Sequence, residues 1–129
     1  MHPLVLAVTG ASGAIYAIRL LEVLLAAGRT VHLTMSSAAA EVINHELGLK
    51  VDLANFQLDQ FLLSDEQLHD SKLKSLKPPW SEYAASSIFG DSQLSAARVQ
   101  YHHYRDYYAG IASGSFLTDG MVICPCSTG

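Results

Sequence analysis

Apolar positions along residues 1–50 follow two rhythms in turn. Leu4 to Val8 is apolar without a break, the pattern of a strand covered on both faces. "TGASGA" (Thr9 to Ala14) follows as a tight glycine turn. From Ile15 to Ala27, Ile15, Ile18, Leu21 and Leu25 repeat at helical spacing, and Gly28 supplies the stop. Val31, Leu33 and Met35 then alternate with His32 and Thr34, which is the period of a second strand. A second helix, capped by Ser36 or Ser37, should run through "AAAEVINHEL" and end at Gly48.

Strand, helix, strand and helix in that order predict an α/β fold, a Rossmann-like doubly wound parallel sheet of three layers with right-handed crossovers. The whole of 1–129 reads as a single domain with an irregular excursion over roughly 51–97. Within it "FQLDQFLLSDEQLHD" suits a helix, whereas "KLKSLKPPWSEYAASSIFGDSQ" carries paired Pro, Ser and Gly and reads as loop. A third strand is expected around Arg98 to Tyr104 and a fourth from Met121 to Cys124. Between them "GIASGSFLTDG" has room for one helical turn. The sheet is expected to be incomplete on its C-terminal side, with the free edge of the fourth strand left to pair with further polypeptide or another copy.

Composition narrows the chemistry. Half of the residues are hydrophobic and 16% are charged, which is enough apolar surface for a core. The net charge of −4, without any basic block, argues against nucleic acid as a partner. The apolar stretch Ala14 to Ala27 is interrupted by Arg19 and Glu22 and is too short to span a membrane. Cys124 and Cys126 lie two apart at a strand end, poorly placed for a disulfide, so a reducing, cytoplasmic setting fits. With no second cysteine pair a zinc site is not expected, and no other metal is. "YHHYRDYY" (Tyr101 to Tyr108) reads as scattered surface aromatics, because adjacent His side chains on a strand point to opposite faces. No His neighbour for Cys126 is identifiable, so it is not taken as a nucleophile.

The glycine turn opens a helix, and unpaired N–H groups there suit a phosphate. The dinucleotide fingerprint needs a third glycine and an acidic residue after the second strand. Here that strand ends in Met35, Ser36 and Ser37, which disfavours NAD. A hydroxyl at Ser36 suits a monophosphate with a polyol chain, such as FMN, or serves only as a helix cap. If the strand order reverses between strands one and four, "TGASGA" and the terminal "CPCSTG" flank one crevice.

Four segments, "VTGASGAIYAIRLLEVL", "MSSAAAEVINHE", "ASGSF" and "GMVICPCSTG", together resemble the flavin prenyltransferase (UbiX-type) family, within the homo-oligomeric flavin-containing cysteine decarboxylase group. The resemblance covers mainly 1–50 and 109–129 and marks the N-terminal portion of such a protein. It implies that Gly10, Ala11, Ser12, Ser36, Ser127, Thr128 and Gly129 hold FMN. It implies transfer of a dimethylallyl group from dimethylallyl phosphate to reduced FMN, at N5 and then C6, to make prenylated FMN for a partner decarboxylase. Proton removal at N5 calls for a carboxylate. Glu46 occupies the matching acidic position, with Ser12 as relay, although the residue alone reads as a solvated helix-end carboxylate. Ser113 would donate to the allylic phosphate. The family's basic phosphate-binding residues lie further along than these motifs. A homo-oligomer, a dodecamer by resemblance, is implied as well. The alternatives are an FMN-dependent decarboxylase of a cysteine adduct and a non-catalytic FMN-binding module.

Overall fold

The computed structural model describes residues 1–61 and 98–127. Its elements are β1 (Leu4–Val8), α1 (Ala14–Ala26), β2 (Val31–Met35), α2 (Ser37–Leu47), α3 (Leu58–Phe61), β3 (Val99–Tyr101), a 3-10 turn (Gly110–Ala112) and β4 (Gly120–Ile123). The strands form one parallel sheet in the order β3-β2-β1-β4. The chain thus winds from β1 through β2 to β3 in one direction and returns to place β4 on the other side of β1.

Local chemistry sets the element ends. Gly13, with φ of +106°, turns the chain from β1 into α1 through a left-handed conformation that side chains with a Cβ avoid. α2 starts where the Ser36 hydroxyl accepts the Ala39 N–H at 3.1 Å. It stops at Gly48, whose left-handed backbone lets its N–H reach the Asn44 carbonyl at 2.9 Å.

Register decides which residues meet. Leu6 pairs with Leu33 and Val8 with Met35, so these side chains share one face with Val31. Onto that face α1 brings Ala17, Ile18, Leu21 and Leu25, and α2 brings Ala39 and Ile43, all within one buried cluster. Burial of each larger side chain there stabilises the fold by about 2 kcal/mol.

Residues 51–61 hold a turn followed by α3, which lies within the helix expected in "FQLDQFLLSDEQLHD". Asp52 accepts the N–H groups of Ala54 and Asn55, closing a turn, and α3 then delivers a fully buried Phe61 to the core. The remainder of the excursion, including most of the expected helix and the Pro-containing loop, lies outside the described residues.

β3 is shorter than expected. The His102 N–H still reaches the Leu33 carbonyl at 2.8 Å, but from His103 onward the chain bonds to itself in turns. The aromatic tract therefore divides. Tyr101 stacks on Phe56, and its hydroxyl donates to the Leu53 carbonyl at 2.9 Å. Burial, followed by the nearby Asp52 and Tyr104, pushes its pKa up to about 12. Tyr104, Tyr107 and Tyr108 are exposed as expected, so the surface reading holds for them and fails for Tyr101.

The second face carries Val5, Ala7, His32, Thr34, Gln100, Met121 and Ile123 by the same alternation. The His32 ring hydrogen-bonds His102 (Nδ1 to Nε2, 2.8 Å) and meets the Phe116 ring edge-on. Among the described residues no helix is long and apolar enough to cross a membrane.

Candidate flavin crevice

Because β1 and β4 are parallel neighbours, the chain leaves both at the same end of the sheet, where the strand order reverses. The turn after β1 and the loop after β4 touch there. The Thr9 hydroxyl donates to the Pro125 carbonyl, and a Cβ placed on Gly13 would lie 3.8 Å from the Pro125 ring.

α2 closes the crevice from the other side. A Cβ on Gly10 would sit 2.6 Å from the Ala38 Cβ, so glycine is what lets the turn lie against the first residues of α2. From the far end of that helix, Glu46 reaches back to the glycine turn. Both of its carboxylate oxygens accept the Gly13 N–H, at 2.9 and 3.2 Å. A carboxylate on the first N–H groups of α1 is favoured by the helix dipole. Glu46 is exposed, yet it is held, and the solvated reading of the residue misses this tether.

Among the described residues the N–H groups of Gly10, Ala11 and Ser12 meet no acceptor. These three consecutive donors precede the Gly13 N–H that the Glu46 carboxylate holds. Ser36 spends its oxygen on the Ala39 N–H, which leaves its own proton available; the cap and the ligand roles are compatible in one hydroxyl. Ser127 is exposed beyond Pro125, while Thr128 and Gly129 lie outside the described residues. Ser113 is not brought here. It lines an open depression with Pro3, His32, Gln100 and Phe116, toward the opposite end of the strands.

The crevice loops carry no Lys or Arg. Arg19 and Arg29 are committed elsewhere, to Glu22 at 2.7 Å and to Asp119 at 2.6 Å. Both cysteines are free, and burial raises the Cys124 thiol above its ordinary pKa, which makes it a poor nucleophile.

Sequence reasoning missed Thr9 and Ala38. Their contacts join residues far apart in the chain, and Thr9 differs from other strand-end hydroxyls only in facing Pro125, 116 positions away.

A reversed parallel sheet with unpaired N–H groups at its first glycine turn defines a doubly wound protein whose switch point offers donors suited to an anionic ligand. The profile of the Flavoprotein family matches residues 1–129, and the chain belongs to that family. It is 35% identical over 122 residues to the flavin prenyltransferase UbiX of Halalkalibacterium halodurans, a match covering 95% of this chain and 45% of that protein. Among solved structures it resembles AnUbiX in complex with FMN and dimethylallyl pyrophosphate, at 26% identity and a TM-score of 0.55, over 97% of this chain and 45% of the other. It also resembles the phenylacrylic acid decarboxylase of Aquifex aeolicus, at 25% identity and a TM-score of 0.55, over 98% and 47%. The chain thus spans less than half the length of these relatives.

Proposed function

We propose that this chain supplies the flavin-holding half of a flavin prenyltransferase, in which reduced FMN accepts a dimethylallyl group from dimethylallyl phosphate. The observation that carries the reading is Glu46 tethered to the Gly13 N–H that follows three consecutive unspent donors, in a chain of this family.

The residues fit FMN. Gly10, Ala11 and Ser12 would take its phosphate through their N–H groups, with Gly10 permitting close approach. Ser36 would donate to the polyol chain while still capping α2. Ser127 would approach from the β4 loop. When bound, reduced flavin supplies the electron-rich nitrogen and carbon that are alkylated. The Glu46 carboxylate would take the proton lost from that nitrogen, with the Ser12 hydroxyl as relay. A carboxylate fixed by a backbone N–H has its direction set before the substrate arrives. Departure of the phosphate needs positive charge, which these loops lack, so that stabilisation comes from outside them. Ser113 lies in another depression of its own chain, so it is not among the residues that would hold the allylic phosphate at this crevice. The product would serve a decarboxylase dependent on prenylated FMN.

The test is to incubate the full-length protein with reduced FMN and dimethylallyl phosphate and weigh the flavin. A mass gain of one prenyl group, lost in Glu46→Gln with FMN binding retained, is the expected result. Bound FMN without any mass gain would sink prenyl transfer, and release of CO2 from a cysteine adduct would favour the FMN-dependent decarboxylase alternative.

A further inference from the structure

We propose that Thr9 is a positioning residue that aims the backbone of the β4 loop at the flavin; the inference rests on the FMN reading above. Thr9 is the last residue before the glycine turn and is half-buried, and Pro125, whose carbonyl accepts its hydroxyl, is buried. The bond is therefore partly shielded from bulk water. Only the Cys124–Pro125 peptide is cis among the described residues, so the Pro125–Cys126 peptide is trans. In a trans peptide the carbonyl and the following N–H point in opposite directions. Anchoring the Pro125 oxygen on Thr9 consequently fixes the direction of the Cys126 N–H, opposite to the Thr9 hydroxyl. That N–H meets no acceptor among the described residues.

A donor fixed in direction and left unspent is preorganised for a ligand. Thr9 thus orients Cys126 without touching the ligand itself, and it couples the two loops that flank the crevice. The contact of Gly13 with the Pro125 ring, 3.8 Å from an added Cβ, supports the same coupling from the other side of the turn.

The experiment titrates FMN fluorescence against the full-length wild-type protein, Thr9→Val and Thr9→Ser, with thermal unfolding of each ligand-free protein alongside. Valine keeps the shape and removes the donor; serine keeps the donor. Thr9→Val should bind FMN about tenfold more weakly and Thr9→Ser within about twofold of wild type, as expected for one directed hydrogen bond. Wild-type affinity in Thr9→Val overturns the positioning role and leaves the FMN reading standing. Failure of the wild type to bind FMN overturns both. Where Thr9→Val does not fold, Thr9→Ala takes its place: weak binding by alanine with near-normal binding by serine supports the role, and equal binding by the two overturns it.

Discussion

Along β1 and β2, Leu6, Val8, Leu33 and Met35 turn into a core closed by α1 and α2, whereas Val5, Ala7, His32 and Thr34 turn the other way. On that second face cover is partial. His32 is 8% exposed beneath Phe116 and His102, while Met121 and Ile123 on β4 stand 58% and 49% exposed. The same strands therefore present one face fixed by packing and another held by a few polar and aromatic contacts. The crevice sits on the rim of the fixed face. Its parts come from α1, α2 and the ends of β1 and β4, so the geometry of Glu46 and the glycine turn is inherited from the helix packing.

The largest test of this contrast removes one side chain from each face. Leu33→Ala should lose about 2–5 kcal/mol of stability, the range for a leucine deleted from a closed core. Met121→Ala should stay within about 0.5 kcal/mol. Denaturant unfolding of the chain measures both, and comparable losses would mean that the faces are equally packed.

Next in size is the contact where the fixed face meets the crevice. Gly10→Ala forces the glycine turn and α2 apart, since the added Cβ starts 2.6 Å from Ala38. Overpacking of this kind costs about 1–3 kcal/mol. The same variant should weaken FMN binding more than Leu33→Ala does in protein that remains folded. If binding tracks stability alone across the pair, the crevice has no geometry of its own to lose.

A smaller effect separates the two roles of Ser36. Ser36→Ala removes the cap from Ala39 and should cost about 1 kcal/mol, whereas Ser36→Asn keeps a capping oxygen and should cost much less. Weak FMN binding by both variants, with stability lost only in the first, would show the hydroxyl serving helix and ligand together. Normal FMN binding by Ser36→Asn would leave only the cap.

Much of the fixed face was readable from residue order. The unbroken apolar run of β1, the helical spacing of Ile18, Leu21 and Leu25, and the Ser36 and Gly48 signals are local features whose physics acts within a few residues. The reversal between β1 and β4 entered the sequence reading only as a condition for bringing the two loops together, and the sheet order meets it. The second face was not readable. His32 looked like the polar half of an alternating strand, and only the fold brings His102 and Phe116 over it. The crevice lies between these cases. The resemblance marked Glu46, but the Gly13 N–H that receives its carboxylate depends on the angle between α1 and α2. Ser113 shows the opposite limit: its motif matched, and its own chain holds it in another depression.

The smallest expected effect is the pH dependence of the less protected face. Burial, and then the charge on neighbouring His102, hold the His32 imidazole below its ordinary pKa of 6.5. The folded chain then binds a proton at His32 less readily than the unfolded chain. The associated stability is complete above the unfolded value of 6.5 and is lost as pH falls through the lower folded value. The groups facing His32 are His102 from the end of β3, Phe116 from the loop before β4, and Gln100 beside it in register. A second proton cannot be accommodated without breaking the 2.8 Å bond between the two rings, because both imidazoles would then be donors only. His32→Phe removes the titration and keeps an aromatic ring under Phe116. Unfolding free energies of wild type and variant, compared from pH 8 to pH 5, should therefore diverge in slope below about pH 6.5, with the wild type falling more steeply. Carboxylates titrate alike in the two proteins and cancel in the difference. Parallel curves would show that the second face, for all its thinner cover, draws nothing from the state of this histidine pair.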